Sequence, residues 1–144
     1  MDRSDFPELY SYDLFPEEGD KVYVEKSSIA WFDKNGIYIS VPFKEIVPLT
    51  IDDIKLSEEN WLKNHGTSKI CMISVVHPQA PSTKEMRDYM ALILPNYLKA
   101  FALISSSALG RMAANIFFGL KPQSYPAKMF SNPDKAKRWL INYL

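Results

Sequence analysis

From Lys21 to Val41 apolar and polar positions alternate, with Val22, Val24, Ile29 and Trp31 before the dipeptide Asn35-Gly36 and Ile37, Ile39 and Val41 after it. A period of two puts one set of side chains on one sheet face. Asn-Gly tolerates the positive φ of a type I′ turn, so the segment predicts a β-hairpin. The period then changes. Thr50 stands three residues before Asp53, the spacing of a capping box, ahead of Ile51, Ile54, Trp61 and Leu62, and Gly66 follows as a stop. This predicts a helix over about 51 to 64. Ile70 to Val76 is a nearly continuous apolar run, as expected of a third strand covered on both faces.

Pro78 and Pro81 interrupt the chain, and Ser82 stands three residues before Glu85 as a helix cap. Met86, Tyr89, Met90 and Ile93 recur at helical spacing, and this helix should end or kink at Leu94, because Pro95 disfavours helical geometry in the residue before it. Phe101 to Ser105 reads as a fourth strand. A helix over about 108 to 120 follows, with the stripe Leu109, Met112, Ala113, Ile116, Phe117 and Leu120. Ala127 to Phe130 reads as a fifth strand, after which Asn132 caps and Pro133 opens a last helix with Ala136, Trp139, Leu140 and Tyr143 facing inward. A hairpin followed by alternating α and β requires crossover connections. The expected fold class is therefore α/β, with a mixed, mostly parallel sheet of about five strands flanked by about four helices, and the runs near 70 and 101 as parallel neighbours.

Residues 1–19 contain Pro7, Pro16 and Gly19 and show neither period, so they read as an irregular arm ahead of one domain over 20–144. The arm carries Phe6, Tyr10, Tyr12 and Phe15, more aromatic surface than a purely solvated tail has, which favours packing onto the body. Charge divides the same way. The first twenty residues hold seven acids against Arg3 alone, a sum of −6, and the remainder carries +6, within a chain of 144 residues and zero net charge. An acidic leader of this kind is suited to lie across a basic face of its own domain or of a twin subunit.

Composition narrows the chemistry. One cysteine, Cys71, and two histidines, His65 and His77, are too few for a disulfide or a structural zinc site, and no metal is expected. No apolar run reaches the roughly 20 residues of a membrane span, and the start of the chain is too acidic for a signal peptide. A cytoplasmic protein without membrane insertion is expected. The lysines are scattered rather than striped, so no nucleic-acid partner is expected. Five glycines form no phosphate-cradling loop, and no cofactor is implied.

Loops at the carboxyl ends of the strands carry the candidate chemistry. Ser82 and Thr83 follow the third strand, and Ser105, Ser106, Ser107 and Arg111 follow the fourth. Hydroxyls and a cation at helix starts suit an anion or a phosphorylation site, although capping accounts for the same residues. His77 beside a serine would suggest a hydrolase. Pro78 follows it directly and there is no G-x-S-x-G elbow, so no catalytic residue is assigned. Cys71, mid-strand among apolar neighbours, reads as a small hydrophobe. Phe118 falls half a turn from the Leu109–Leu120 stripe; with Phe6, Tyr10 and Tyr12 it forms a candidate interface, toward the arm, the final helix or a second subunit.

Several segments in order, Ala30-Trp-Phe-Asp-Lys-Asn-Gly-Ile, Glu85-Met-Arg-Asp-Tyr-Met-Ala, Ala102 to Leu120, Tyr125-Pro-Ala-Lys-Met-Phe and Asp134-Lys-Ala-Lys-Arg-Trp-Leu, resemble the bacterial SpoIIAA-like group of STAS-related domains. The likeness covers about residues 22 to 144. It implies a STAS-type sheet flanked by helices and, as in anti-sigma-factor antagonists, a non-enzymatic regulatory module whose surface is read by a protein partner. In those antagonists a serine at the start of the helix after the third strand is phosphorylated. The matching position is Ser82 or Thr83, with Pro78-Gln79-Ala80-Pro81 in place of the antagonists' Asp-Ser-Ser-Gly type of loop. The alternative is a carrier for a small ligand, a lipid or an anion, because related STAS domains and the lipid-carrying CRAL-TRIO folds share a similar topology and this chain is rich in large apolar residues. A remote alternative is the hydrolase built on His77. Homodimerisation through an apolar helix face is a subsidiary expectation.

Overall fold

The computed structural model describes residues 2–80, 83–105, 107, 108 and 124–144. Six strands form one mixed sheet in sequential order: β1 (Val22–Val24), β2 (Ser28–Phe32), β3 (Tyr38–Pro42), β4 (Ile70–Val75), β5 (Leu98–Ile104) and β6 (Ala127–Phe130). The first three pair antiparallel as a meander, and β3 to β6 pair parallel. The runs near 70 and 101 are thus neighbours pointing the same way, as expected. The sheet has one strand more than the pattern suggested, because the 21–41 segment holds two hairpins: β1 is only three residues long and turns into β2 through Glu25, Lys26 and Ser27.

The turn between β2 and β3 also differs from expectation. Among the described residues every positive φ belongs to a glycine, so Asn35 lacks the conformation a type I′ turn demands. Instead the Gly36 N–H donates to Asp33 O (2.9 Å), and Asp33 Oδ1 accepts from the N–H groups of Asn35 and Ile37, both at 2.9 Å. Gly36 takes the left-handed position at φ +79°. The loop is therefore five residues long, and the aspartate supplies the closure that a second positive φ would have given.

Helix α1 (Ile51–His65) begins in the expected capping box, with Thr50 and Asp53 each bonding the other's backbone. It buries Ile54, Ser57 and Trp61, while Leu62, of the same apolar set, is exposed. Helix α2 (Lys84–Tyr97) is capped by Thr83, whose hydroxyl accepts from Met86 N–H (3.1 Å), one residue later than the sequence suggested. It also runs through Pro95 rather than stopping at Leu94. Proline removes the bond to the carbonyl four residues back, here that of Ala91, an exposed residue in the last turns, where solvent can take the lost donor's place. The Leu98 N–H then closes the end on Leu94 O. Helix α3 (Pro133–Leu140) opens as expected, with Asn132 accepting from Lys135 N–H and Pro133 in the first turn.

Because β3, β4 and β5 step across the sheet in one direction through right-handed crossovers, α1 and α2 lie on the same face. There Ala30, Tyr38, Met72, Phe101 and Leu103 meet Ile54, Trp61, Ile93 and Leu94. The opposite face carries Ile29, Trp31, Ile39, Val41, Ile73 and Ala102. It is covered by α3 through Ala136 and Leu140, and by the arm through Leu9 and Leu14. The arm is fixed as a short extra pairing: Leu9 bridges Phe43, Tyr10 N–H donates to Pro42 O (2.9 Å), and Lys44 N–H donates to Glu8 O (2.8 Å). The helix expected at 108–120 lies outside the described residues except for its first position, as do Ser82, Ser106, Arg111 and Phe118. No described helix is long and apolar enough to cross a membrane.

Candidate binding cleft

Antiparallel pairing sets Ser28, at the start of β2, opposite Pro42, at the end of β3. The β1–β2 turn therefore stands at the carboxyl rim of the parallel strands, where α/β sheets place their ligands. Between that turn, α1 and α2 opens a cleft of about 330 Å³, at the lower end of the range of small-molecule sites. Its floor is the helix face of the sheet. Tyr38, Met72, Phe101 and Leu103 make it apolar, and Trp61, Met86 and Met90 extend it up the helices.

Two serines interrupt this floor. Ser40 on β3 and Ser74 on β4 are register partners, side by side on the same face, and both line the cleft. Each follows the strand's period-two rhythm that puts Tyr38 and Met72 on the helix side.

The polar wall centres on Glu25. One carboxylate oxygen accepts from the Tyr38 hydroxyl (2.6 Å), and the other accepts from the Ser57 hydroxyl. Tyr38 and Ser57 are buried, so one strand and one helix hold the carboxylate in one orientation. Burial, followed by the adjacent Glu25 charge, raises the Tyr38 phenol far above the ordinary tyrosine range, which keeps it a proton donor to Glu25. At the rim, Lys26 pairs with Asp53 at 3.3 Å. The Thr50 N–H and the Lys26 contact hold the Asp53 carboxyl below its usual range, the capping bond being the larger cause.

A second carboxylate fastens the two walls together. Glu58 on α1 accepts from the Tyr89 hydroxyl and from the Tyr97 hydroxyl at 2.8 Å, both on α2. The bond to Glu58, then burial, pushes Tyr89 up to about 12, and burial followed by Glu58 raises Tyr97.

His77 lies at the cleft edge but is structural. Its Nδ1 accepts from Gln79 N–H (3.2 Å), which leaves Nε2 to donate to Lys44 O (3.0 Å), and its ring lies 4.6 Å from that of Tyr10. With both nitrogens occupied and the side chain buried, it ties β4 to the 43–45 segment and the arm. Among the described residues neither ring nitrogen bonds a serine. Ser105 is also buried, and its hydroxyl is closed on Ser107: it donates to Ser107 O (3.2 Å) and accepts from Ser107 N–H (3.3 Å). Thr83 is exposed at its cap. Phe6, Tyr10 and Tyr12 pack against the second-face core, and Arg3 lies over the Tyr12 ring at 4.5 Å. Cys71 is buried, and burial raises its thiol. No group of three metal-ligating side chains occurs among the described residues.

Of the serine-loop residues singled out from sequence, the structure joins Ser105 to Ser107 and places none of the described ones in the cleft lining, whose polar and aromatic groups include Glu25, Tyr38, Ser40, Ser57 and Ser74. Single-strand patterning carries no signal for these, since Ser40 and Ser74 look like ordinary polar positions until the β3–β4 register pairs them. No curated protein and no solved structure matches the chain. A family model described as a domain of unknown function, DUF7793, matches residues 30–144, and the chain belongs to that family.

Proposed function

We propose that the domain is a non-catalytic binding module that holds a small, mainly apolar ligand in the cleft between α1 and α2. One observation carries this reading: an apolar floor along β3 to β5, in a cleft of about 330 Å³, is faced by a carboxylate already fixed by two hydroxyls. Burial of a ligand's apolar surface supplies affinity, and a few convergent polar groups fix its orientation. His77 is occupied on both nitrogens, which supports binding over hydrolysis.

Native mass spectrometry of the gently purified full chain tests the reading. The expected result is a retained small molecule, absent from Ser74→Phe, whose ring fills the floor. A bare mass from the native chain, together with no binding by any added apolar probe, overturns it.

The second reading is a regulatory contact with a protein partner, in line with the SpoIIAA-like resemblance. It is favoured by Thr83, an exposed hydroxyl at the N-cap of the helix that walls the cleft, where a phosphate would be held by backbone N–H groups. Phosphate mapping after incubation with cell-lysate kinases tests it, and repeated absence at Thr83 and Ser82 rules out the switch.

A further inference from the structure

Among the described residues Glu25 has no cation of its own. Among the described residues the ion pairs join Lys26 to Asp53, Lys44 to Glu8 and Lys84 to Asp88, and Glu25 is met only by the neutral hydroxyls of Tyr38 and Ser57. Arg87, which lines the cleft from α2, has a partner of its own. A half-buried carboxylate without a counter-charge is an energetic debit that a cationic ligand removes. The rest of the lining suits the same guest. Tyr38, Trp61 and Phe101 present aromatic rings to the cleft, and ring faces attract ammonium groups that have shed their water. The Ser40 and Ser74 hydroxyls, side by side on the floor, have no hydrogen-bond partner among the described residues and can accept the remaining N–H donors.

We infer that the cleft takes a compact amine, an ammonium group on an apolar body, with its nitrogen on the Glu25 carboxylate and its body against Met72, Phe101 and Leu103. This rests on the small-ligand reading above and names its ligand class. An anion, the chemistry expected from the serine loops, would meet the Glu25 charge, while of the two cations lining the cleft Lys26 is paired with Asp53 and Arg87 has a partner of its own.

Three probes of one shape separate the outcomes by calorimetric titration of the full chain: phenethylamine, phenethyl alcohol and hydrocinnamate. The amine should bind best and the carboxylate worst. Glu25→Gln should weaken the amine by about tenfold or more, the scale of a charge-assisted hydrogen bond, while changing the alcohol by less than about threefold. Glu8→Gln, an exposed carboxylate paired with Lys44, should leave the ranking unaltered. If the alcohol or the carboxylate binds as tightly as the amine, the ligand class is wrong while the cleft still binds. If none of the three binds and native mass spectrometry finds the chain bare, both readings fall. The native ranking decides on its own should Glu25→Gln fail to fold. Backbone amide shifts at Ser40, Ser57 and Ser74 then locate the bound amine, and their absence under saturating amine also overturns the assignment.

Discussion

Glu25 shows how much one side chain can organise when its partners are buried. Its two oxygens gather a hydroxyl from β3 and one from α1, so removing the carboxylate strands both donors. Glu25→Ala should cost more stability than Tyr38→Phe, which deletes donor and demand together. From the general cost of unmade and lost hydrogen bonds we expect about 1–3 kcal/mol for each, with Glu25→Ala toward the upper end. Urea unfolding of the two variants checks the order, and a cheaper Glu25→Ala contradicts it. The same chemistry sets an alkaline limit. Tyr89 and Tyr125 are pushed up to about 12, the first by its bond to Glu58 and the second by burial, and Tyr38 is raised further. In the unfolded chain they ionise near 10. A folded pKa above the unfolded one favours the native state fully below about pH 10, and that contribution is lost as pH climbs toward 12. Phenolate absorbance should therefore lag behind that of a denatured control until unfolding releases these protons together. None of this was legible at the residue scale in the sequence. In the sequence Glu25 falls within the first strand of the expected hairpin as one more polar position, and its role depends on a strand register and a helix packing that no local pattern encodes.

Elements were far more legible, and the exceptions have local causes. The apolar run 70–76 became β4, buried along nearly its whole length, because a strand between two parallel neighbours with helices on one face and an arm and helix on the other has no wet side. The final helix was equally clear, since an Asn cap followed by proline in the first turn is a signal within four residues. The helix does not end at Leu94 because the steric bias against helical geometry before proline is outweighed by burial of Ile93 and Leu94 in the core, and the carbonyl that Pro95 orphans belongs to exposed Ala91 near the helix end. The capping box at α1 was visible from Thr50 and Asp53, and it carries a prediction. Thr50→Ala should lower stability by about 1 kcal/mol. Asp53 is held below its ordinary pKa, chiefly by the Thr50 N–H, so its contribution is present above the unfolded value near 3.9 and is lost as pH falls through the lower folded value. Thermal melts from pH 6 down to pH 2 should show the native chain losing stability faster than Asp53→Asn, which has no carboxyl to protonate at that position. Parallel curves would show that the Asp53 charge contributes nothing.

At the scale of the molecule, the sheet has two faces and the chain covers them by different means. One receives α1 and α2 by the obligatory crossovers. The other receives α3 and the arm, neither of which any crossover forces into place. What holds the arm is a set of contacts at one edge: Leu9 and Leu14 buried among Ile29, Val41 and Phe43, backbone bonds to Pro42 and Lys44, and the Tyr10 ring on His77. The aromatic content of residues 1–19 pointed to packing, whereas the site of packing emerged only from the end of β3, where Leu9 bridges Phe43. The acidic charge of the arm meets one lysine there, Lys44 on Glu8 at 3.4 Å between exposed side chains, which is worth little. Apolar burial is therefore what fixes it. Two consequences distinguish this from a charge-held leader. Leu9→Ala and Leu14→Ala should each cost about 2–5 kcal/mol, the range for large-to-small changes in a core, whereas Glu8→Gln should stay within about 0.5 kcal/mol, as surface changes do. Removing residues 2–19 should uncover Ile29, Val41 and Phe43, raise binding of a hydrophobic dye, and lower the melting temperature even at a salt concentration that screens every exposed pair. A truncated chain that melts like the full one would mean that the second face is closed by α3 alone and that the arm is a passenger.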